Sequence, residues 1–165
     1  FRLLTLGVFA GLIVYSLSKL YSSVIILNEH FRGYYWDYGW EEVVNVVKTE
    51  LSPTLPKVVD NTRFEPYIQF LFFLKYPPDV YQKENHEVEL SEYYTNMNRN
   101  KTKKIGNIIT RPISWEEDLL VEQYLIGDSL SISDDQIKEH KLILIKEILY
   151  PDRTVAFRIV KTALY

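Results

Sequence analysis

Histidine and cysteine, which often perform catalysis or bind metals, are scarce in this sequence. Its three histidines, His30, His86 and His140, lack the spacing of metal ligands, and the chain contains no cysteine that could supply a thiolate. The adjacent acids Glu41 and Glu42 point apart on a helix, which disfavours general acid–base catalysis. We interpret the other acidic runs as exposed helix starts: Glu116-Glu117-Asp118 and Asp134-Asp135. The sequence therefore predicts no catalytic residue, no metal site and no cofactor site within this chain.

The block Gly127-Asp128-Ser129-Leu130-Ser131 is the one motif that suggests a nucleophile. It reads GDSLS, as in the nucleophile block of a class of esterases and lipases, and a predicted strand precedes it. Those enzymes also need a long following domain and an Asp-x-x-His pair near the end of the chain. Here His140 is preceded three positions earlier by Ile137, so the pair is absent. A serine without an oriented base is not an activated nucleophile, and we reject the esterase interpretation.

A polar interval from 83 to 104 contains a small basic cluster. We expect this interval to be a flexible loop, because it is charged, rich in asparagine and without periodicity. The cluster could contact lipid phosphate or be an ordinary solvated loop, and it consists of Arg99, Lys101, Lys103 and Lys104. The net charge of the whole chain is −3, so we expect no nucleic acid as a partner.

Aromatic residues crowd the segment from 31 to 40. Tyrosine and tryptophan are enriched at membrane interfaces because their rings suit the acyl boundary while their polar groups reach water. The same rings could stack on sugars, and the alternative is a simple interface anchor together with core contacts. The candidates are Tyr34, Tyr35, Trp36, Tyr38 and Trp40.

The N-terminal stretch Leu3 to Leu27 is rich in apolar residues and carries no charge except Lys19. As a helix it would be about 37 Å long, enough to cross a hydrocarbon core of about 30 Å. We therefore predict a transmembrane helix within residues 1–30. A signal peptide and a long buried helix are the alternatives that remain open. The chain begins at Phe1 and not at Met, so we expect it to be part of a longer protein.

Residues 31–165 predict one small layered α/β domain. Apolar residues at helical spacing from Trp40 to Leu51 indicate a helix that Asp37 caps, and Lys57 to Asp60 indicates a short buried strand. The segment Tyr67 to Tyr76 is apolar in nearly every direction, so we expect a helix buried on most sides. It starts near Pro66, and Pro77-Pro78 ends it.

The C-terminal part of the sequence favours strands. We predict them at Ile105 to Ile113, Val121 to Ile126, Lys141 to Leu149 and Thr154 to Lys161, with one helical turn at Trp115 to Leu119 and another helix at Asp134 to His140. The last two strands flank Tyr150-Pro151-Asp152-Arg153, which suits a tight turn. The fold class is therefore α/β, with a mixed sheet and a C-terminal β-hairpin after one transmembrane helix.

Three segments of this sequence resemble the C-terminal end of membrane glycosyltransferases of the GT-C type. They are WDYGWEEVVNVV, VVDNTRFEPYIQFLFFLKYPPDVYQ and YPDRTVAFRIV. The resemblance is to the proteins related to dolichyl-phosphate-mannose protein mannosyltransferase and to aminoarabinose transferase. It covers most of the chain and is loose between 83 and 104.

The resemblance implies a role but no catalytic residue in this chain. In that family a multi-span membrane domain transfers a sugar from a polyprenyl-phosphate donor to an acceptor outside the cytoplasm, and the catalytic acids lie near the N-terminus of the whole protein. This chain would be the non-catalytic C-terminal region, with the last span and residues 31–165 extracytoplasmic at the cell membrane. Its expected partners are membrane lipid, the remaining transmembrane domain, the polyprenyl-phosphate sugar and the acceptor. The alternative is a single-pass anchored module that binds carbohydrate or protein.

Overall fold

The computed structural model describes residues 2–28, 32–33, 37–85 and 102–163. The chain forms two compact units: residues 1–38 with 150–154, and residues 39–149 with 155–165. The first unit contains helix α1 (Arg2–Tyr21), which a π-helical stretch (Ser22–Asn28) continues. Arg2–Leu27 is 26 residues long and apolar enough to cross a membrane, and none of its most apolar window is buried. The expected N-terminal apolar helix is thus present, although its length and composition also fit a signal sequence.

The second unit is built on one six-stranded mixed sheet with the strand order β2-β3-β1-β4-β6-β5. Strands β3, β1 and β4 are parallel to one another, and the remaining pairs are antiparallel. The bounds are β1 Lys57–Val59, β2 Lys103–Ile105, β3 Ile108–Thr110, β4 Tyr124–Asp128, β5 Ile143–Leu149 and β6 Val155–Lys161. The predicted α/β class, mixed sheet and C-terminal hairpin are therefore confirmed.

In the described part of this unit, five helices accompany the strands: α2 Trp40–Thr49, α3 Pro66–Phe73, α4 Pro78–Glu84, α5 Trp115–Asp118 and α6 Asp134–Glu139. On one face of the sheet, Trp40 of α2 packs against Phe157 of β6 with ring centroids 4.4 Å apart. Phe64 and Phe70 contact the same indole ring edge-on, each at 6.1 Å. Helices α2 and α3 thus share one aromatic core with the sheet.

The opposite face of the sheet has a second, aliphatic core. Its buried residues come from three strands and the loops beside α6: Val58, Leu125, Ile132, Leu142 and Val160. Trp115 and Leu119, in and just after α5, and Ile137 in α6 pack against this cluster. The domain is therefore three layers deep, with helices on both faces of the sheet, as parallel strands buried on both faces require.

Helix α3 differs from its expected burial. Of its eight residues only Pro66 and Phe70 are buried, while Ile68 is 50% exposed and Phe72 is 72% exposed. The prediction of a helix buried on most sides is wrong, because the sheet covers a single face of a helix that is apolar on two. Its start at Pro66 agrees with the sequence, since a first-turn proline sacrifices no helical hydrogen bond.

The start of α2 is also different from the prediction. Asp37 lies three residues before the helix and has a left-handed backbone, with φ +53°. The N-cap is Gly39, with φ +93° and no side-chain cap. A Cβ on Gly39 would lie 3.1 Å from Ile148 Cγ2, so the close approach as well as the backbone angle favours glycine there.

Two predicted strands and the polar interval have different limits in the structure. The segment Ile105 to Ile113, predicted as one strand, contains the last residue of β2, the turn at Gly106, where φ is +59°, and strand β3. Strand β4 begins at Tyr124, three residues after Val121. The expected loop 83–104 has its first residues in α4 and its last two in β2, and residues 86–101 lie outside the described part of the chain.

Candidate functional site at the carboxyl ends of the parallel strands

Two buried aspartates lie where the parallel strands β1 and β4 end. Asp60 directly follows β1, Asp128 is the last residue of β4, and they are 5% and 6% exposed. In open α/β sheets, ligands bind outside the carboxyl ends of the parallel strands. This edge is therefore where a binding or catalytic site is first sought.

The Asp60 side chain accepts hydrogen bonds from the loop that follows β1 and from the loop that follows β4. Its Oδ1 accepts a hydrogen bond from Thr62 Oγ1 at 2.8 Å, and its Oδ2 accepts one from the Thr62 backbone N–H at 3.3 Å. The Ser131 hydroxyl donates to Oδ2 at 2.7 Å. The backbone N–H of Ile113 approaches Oδ1 at 3.4 Å. Both carboxylate oxygens thus have donors, as burial demands.

Asp128 orders the turn after β4. The backbone N–H groups of Leu130 and Ser131 donate to its Oδ1 at 3.0 and 2.7 Å. Arg63 Nη1 approaches the two carboxylate oxygens at 3.2 and 3.4 Å and also donates to Ser131 Oγ at 3.0 Å. Asp60, Ser131, Arg63 and Asp128 therefore form one continuous hydrogen-bonded network, which we call the edge network.

The edge network joins the loops that follow β1 and β4. The Ser131 hydroxyl donates its proton to Asp60 and accepts from Arg63, so it spans the loops after β1 and β4. Arg63 is its half-exposed member, with 35% of the side chain accessible to solvent. Within the described ranges, no group of three or more acidic, histidine or cysteine side chains is placed to hold a metal ion.

The GDSLS block contributes to this network, but not through Ser129, the serine that follows Gly127-Asp128 in the motif. Asp128 and Ser131 are members, whereas Ser129 is half-buried in the turn between them. The His140 ring stacks on Trp115, with centroids 4.9 Å apart and planes 21° from parallel. His140 thus packs over the face that carries the aliphatic core.

A third buried aspartate, Asp118, interacts with Arg111, the residue that follows β3. It accepts hydrogen bonds from both terminal nitrogens of Arg111, from the Ser114 backbone N–H at 2.8 Å and from Gln123 Nε2 at 2.9 Å. Burial alone would raise the pKa of Asp118, but the donors, with Arg111 foremost, lower it below its ordinary value. The interpretation of Asp118 as part of a solvated helix start is wrong, because this side chain is fully surrounded.

The aromatic candidates separate into different environments. Tyr34, Tyr35 and Trp36 lie outside the described residues. Tyr38 is exposed, and its ring contacts that of Tyr150 at 6.0 Å within the first unit. Trp40 is 1% exposed and belongs to the aromatic core, so its ring offers no face to a sugar or to the membrane interface.

The basic candidates are not brought to one place. Arg99 and Lys101 lie outside the described residues. Lys103 and Lys104 are consecutive residues of β2, so their side chains leave opposite faces of the sheet. The Lys104 backbone is paired with the Asn85 side chain, which accepts from its N–H and donates to its carbonyl, both at 2.8 Å. Asn85 thereby closes the outer edge of β2 against further strand pairing.

Sequence reasoning missed Asp60 and Arg63 as functional candidates. One pattern could have found the aspartates, because an Asp stands at the carboxyl end of two short apolar segments, Val58-Val59-Asp60 and Ile126-Gly127-Asp128. Comparison of the chain with known protein families, with curated proteins and with solved structures finds no match in any of the three. Any functional assignment therefore rests on the fold, on the geometry of these residues and on the resemblance of the three segments.

Proposed function

We propose that this chain is the C-terminal, non-catalytic region of an integral-membrane glycosyltransferase. The enzyme would transfer a sugar from a polyprenyl-phosphate donor to an acceptor outside the cytoplasm. One observation carries the proposal: the three segments that resemble the GT-C enzymes meet around a single side chain. Trp40 belongs to the first segment, Phe70 to the second and Phe157 to the third, and the two phenylalanines contact the indole ring.

Two further features support this role. Arg2–Leu27 has the length and apolar composition of a membrane span, as the last span of such an enzyme requires. The polar groups at the carboxyl edge of the sheet hydrogen-bond to one another. This arrangement suits a domain with a structural and not a catalytic role. The catalytic acids are expected elsewhere in the whole protein, in accordance with the resemblance.

The direct test compares two proteins in the same membranes. One is the complete product of the gene, including whatever is encoded before Phe1, and the other is this chain alone. Each is incubated with a labelled polyprenyl-phosphate sugar and a lipid or protein acceptor. We expect transfer by the complete protein and only background from the chain. Transfer by the chain alone that is lost when a single carboxylate is replaced would overturn the proposal.

The coding sequence upstream of Phe1 distinguishes the two classes of function that the residues suggest. Several further apolar spans would support the transferase. A start codon directly before Phe1 would contradict it and favour the single-pass anchored module that binds carbohydrate or protein.

The proposed location of the α/β domain outside the cytoplasm is tested separately by labelling. Because the chain has no cysteine, a single one introduced as Lys138→Cys, at an exposed position of α6, is the only thiol. We expect a membrane-impermeant thiol reagent to label it in intact cells. Leu125→Cys, at a buried position of β4, is the matched control that should react only after unfolding. Labelling of Lys138→Cys only after lysis would invert the topology.

A further inference from the structure

The neighbouring parallel strands β1 and β4 are followed by loops that lead to opposite faces of the sheet. Residues 60–65, after β1, lead to α3, whose Phe70 packs in the aromatic core. Residues 129–133, after β4, lead to α6, whose Ile137 packs against the aliphatic core. Adjacent parallel strands whose loops diverge in this way border a crevice, and open α/β sheets bind their ligands there. The two loops therefore border a candidate binding crevice.

Arg63 is the charged group that a ligand in this crevice can reach. The carboxylates of Asp60 and Asp128 are buried, whereas 35% of the Arg63 side chain is accessible to solvent. Each carboxylate also has donors of its own. The N–H groups of Leu130 and Ser131 donate to Asp128, and the Ser131 hydroxyl donates to Asp60. The accessible charge at the crevice is therefore the guanidinium.

The edge network fixes this guanidinium through one of its three nitrogens. Nη1 of Arg63 lies 3.2 and 3.4 Å from the two Asp128 oxygens and 3.0 Å from Ser131 Oγ. Within the described ranges, no hydrogen bond joins Nε or Nη2 to another residue. These two nitrogens form the edge of the planar group that matches two oxygens of a carboxylate or a phosphate. Arg63 is therefore held in place while its bidentate edge has no partner in the described part of the chain.

We propose that Arg63 binds a phosphate group of a ligand, through Nε and Nη2, in the crevice between loops 60–65 and 129–133. Phosphate suits this crevice better than carboxylate does. The bidentate edge uses both oxygens of a carboxylate, whereas a phosphate has further oxygens for hydroxyl donors. Ser129, half-buried in the turn after β4, has a hydroxyl that makes no hydrogen bond with another described residue.

The proposed role of Arg63 is binding and not reaction, because arginine keeps its proton in proteins. The edge network contains two acids and one arginine, so one negative charge is in excess. We therefore expect weaker binding than at a site where several cations surround a phosphate. The inference goes beyond the proposed function and does not depend on it, since an anchored binding module could hold the same ligand.

The experiment uses NMR, which detects weak binding, on the complete chain in micelles of an uncharged detergent. The protein carries ¹⁵N in its backbone and in its arginine side chains. It is titrated at constant ionic strength with inorganic phosphate, with dimethylallyl phosphate and, for comparison, with acetate. Arg63→Lys keeps the positive charge but removes the bidentate edge. Lys48→Gln is the matched control, because it removes an exposed charge at the end of α2 that leads to the start of β1.

We expect both phosphates to shift the Nε–H resonance of Arg63 and the amide resonances of the two loops until the shifts saturate. Acetate should have a much smaller effect. The loop amides should show binding at least about tenfold weaker in Arg63→Lys, since bidentate hydrogen bonds from a charged donor are lost, and unchanged binding in Lys48→Gln. Unchanged resonances outside the loops would show that Arg63→Lys is folded.

Shifts that do not saturate, or equal binding by Arg63→Lys, would overturn the inference. Equal shifts with acetate would overturn the assignment to phosphate. The Nε–H resonance of Arg63 tests the original chain without any substitution, so an unstable variant leaves the result decisive. Tighter binding of dimethylallyl phosphate than of inorganic phosphate would support an organic phosphate as the ligand, and equal binding would support recognition of the phosphate group alone.

Discussion

The two faces of α3 allow one prediction to be made with an internal control. Phe70 and Phe72 are the same residue type, two positions apart in one helix, and their exposures are 0% and 72%. Phe70→Ala removes a ring that contacts Trp40 in the aromatic core and leaves a cavity behind. Buried phenylalanine-to-alanine changes cost about 3–5 kcal/mol, a large share of the roughly 5–15 kcal/mol by which domains are stable.

Phe72→Ala should have almost no effect on the free energy of unfolding. Its ring contacts Phe73 edge-on at 5.1 Å, a neighbour in the same helix, and is largely open to solvent. Exposed substitutions usually change stability by less than about 0.5 kcal/mol, and alanine is the better helix former. The two variants should therefore differ by about 3 kcal/mol or more, since the first loses burial and the second does not.

Urea unfolding of the complete chain in a mild detergent measures this difference. In a background with the other two tryptophans replaced, Trp36→Phe and Trp115→Phe, the fluorescence of Trp40 reports on the core, because its ring lies against Phe157. With an m-value of about 1–3 kcal/mol per molar urea, Phe70→Ala should lower the midpoint by about 2 M and Phe72→Ala by much less. Equal shifts for the two variants would refute the assignment of one buried and one exposed face.

Three further predictions concern the polar networks and the start of α2. Asp118→Asn should lower the free energy of unfolding by about 1–3 kcal/mol at neutral pH. Because folding lowers the pKa of Asp118, its carboxylate stabilises the fold above the unfolded-state pKa of about 4. The difference between the variant and the original chain should therefore vanish as the pH falls below that value. Ser131→Ala should destabilise the domain by about 1 kcal/mol in thermal unfolding, while Ser129→Ala should change neither stability nor any ester hydrolysis by the preparation, and a large loss of a reproducible activity would restore the esterase interpretation. Gly39→Ala should lower the free energy of unfolding by about 1–2 kcal/mol or more, because φ is +93° and the new Cβ would lie 3.1 Å from Ile148 Cγ2. An unchanged melting temperature would contradict this expectation.

The elements that the sequence predicted correctly are those whose pattern is local. The apolar spacing from Trp40 to Val47 requires only that one helix face be buried, and those positions are buried in α2. The turn at Tyr150 is likewise local, since the Arg153 N–H donates to the Tyr150 carbonyl at 2.8 Å with proline between them. Such patterns determine structure over a few residues, whatever the rest of the chain does.

The edge network was not predicted because its members are distant in sequence. Ser131 and Asp60 are 71 residues apart, and Arg63 and Asp128 are 65 apart. They meet only because β1 and β4 are neighbours in the sheet, a pairing that no local pattern specifies. The same holds for Asp118, whose acidic neighbours suggest a solvated helix start, whereas in the fold Arg111 and Gln123 surround it.

Trp40 and α3 differ from the sequence-based expectation for one physical reason. The sequence left two interpretations of Trp40, an interface aromatic and the first residue of a buried helix face, and it placed α3 in the core. In the structure Trp40 is the centre of the aromatic core and Phe72 is on the surface. Burial of apolar area is non-directional, so a ring gains similarly from a sheet or from an acyl boundary. The choice is made by the backbone. Gly39, with its left-handed backbone, precedes the buried Trp40 at the start of α2, and the sheet covers only one side of the eight-residue α3. The apolar face of α3 that the sheet does not cover therefore stays on the surface of the second unit, where Ile68 is 50% and Phe72 is 72% exposed.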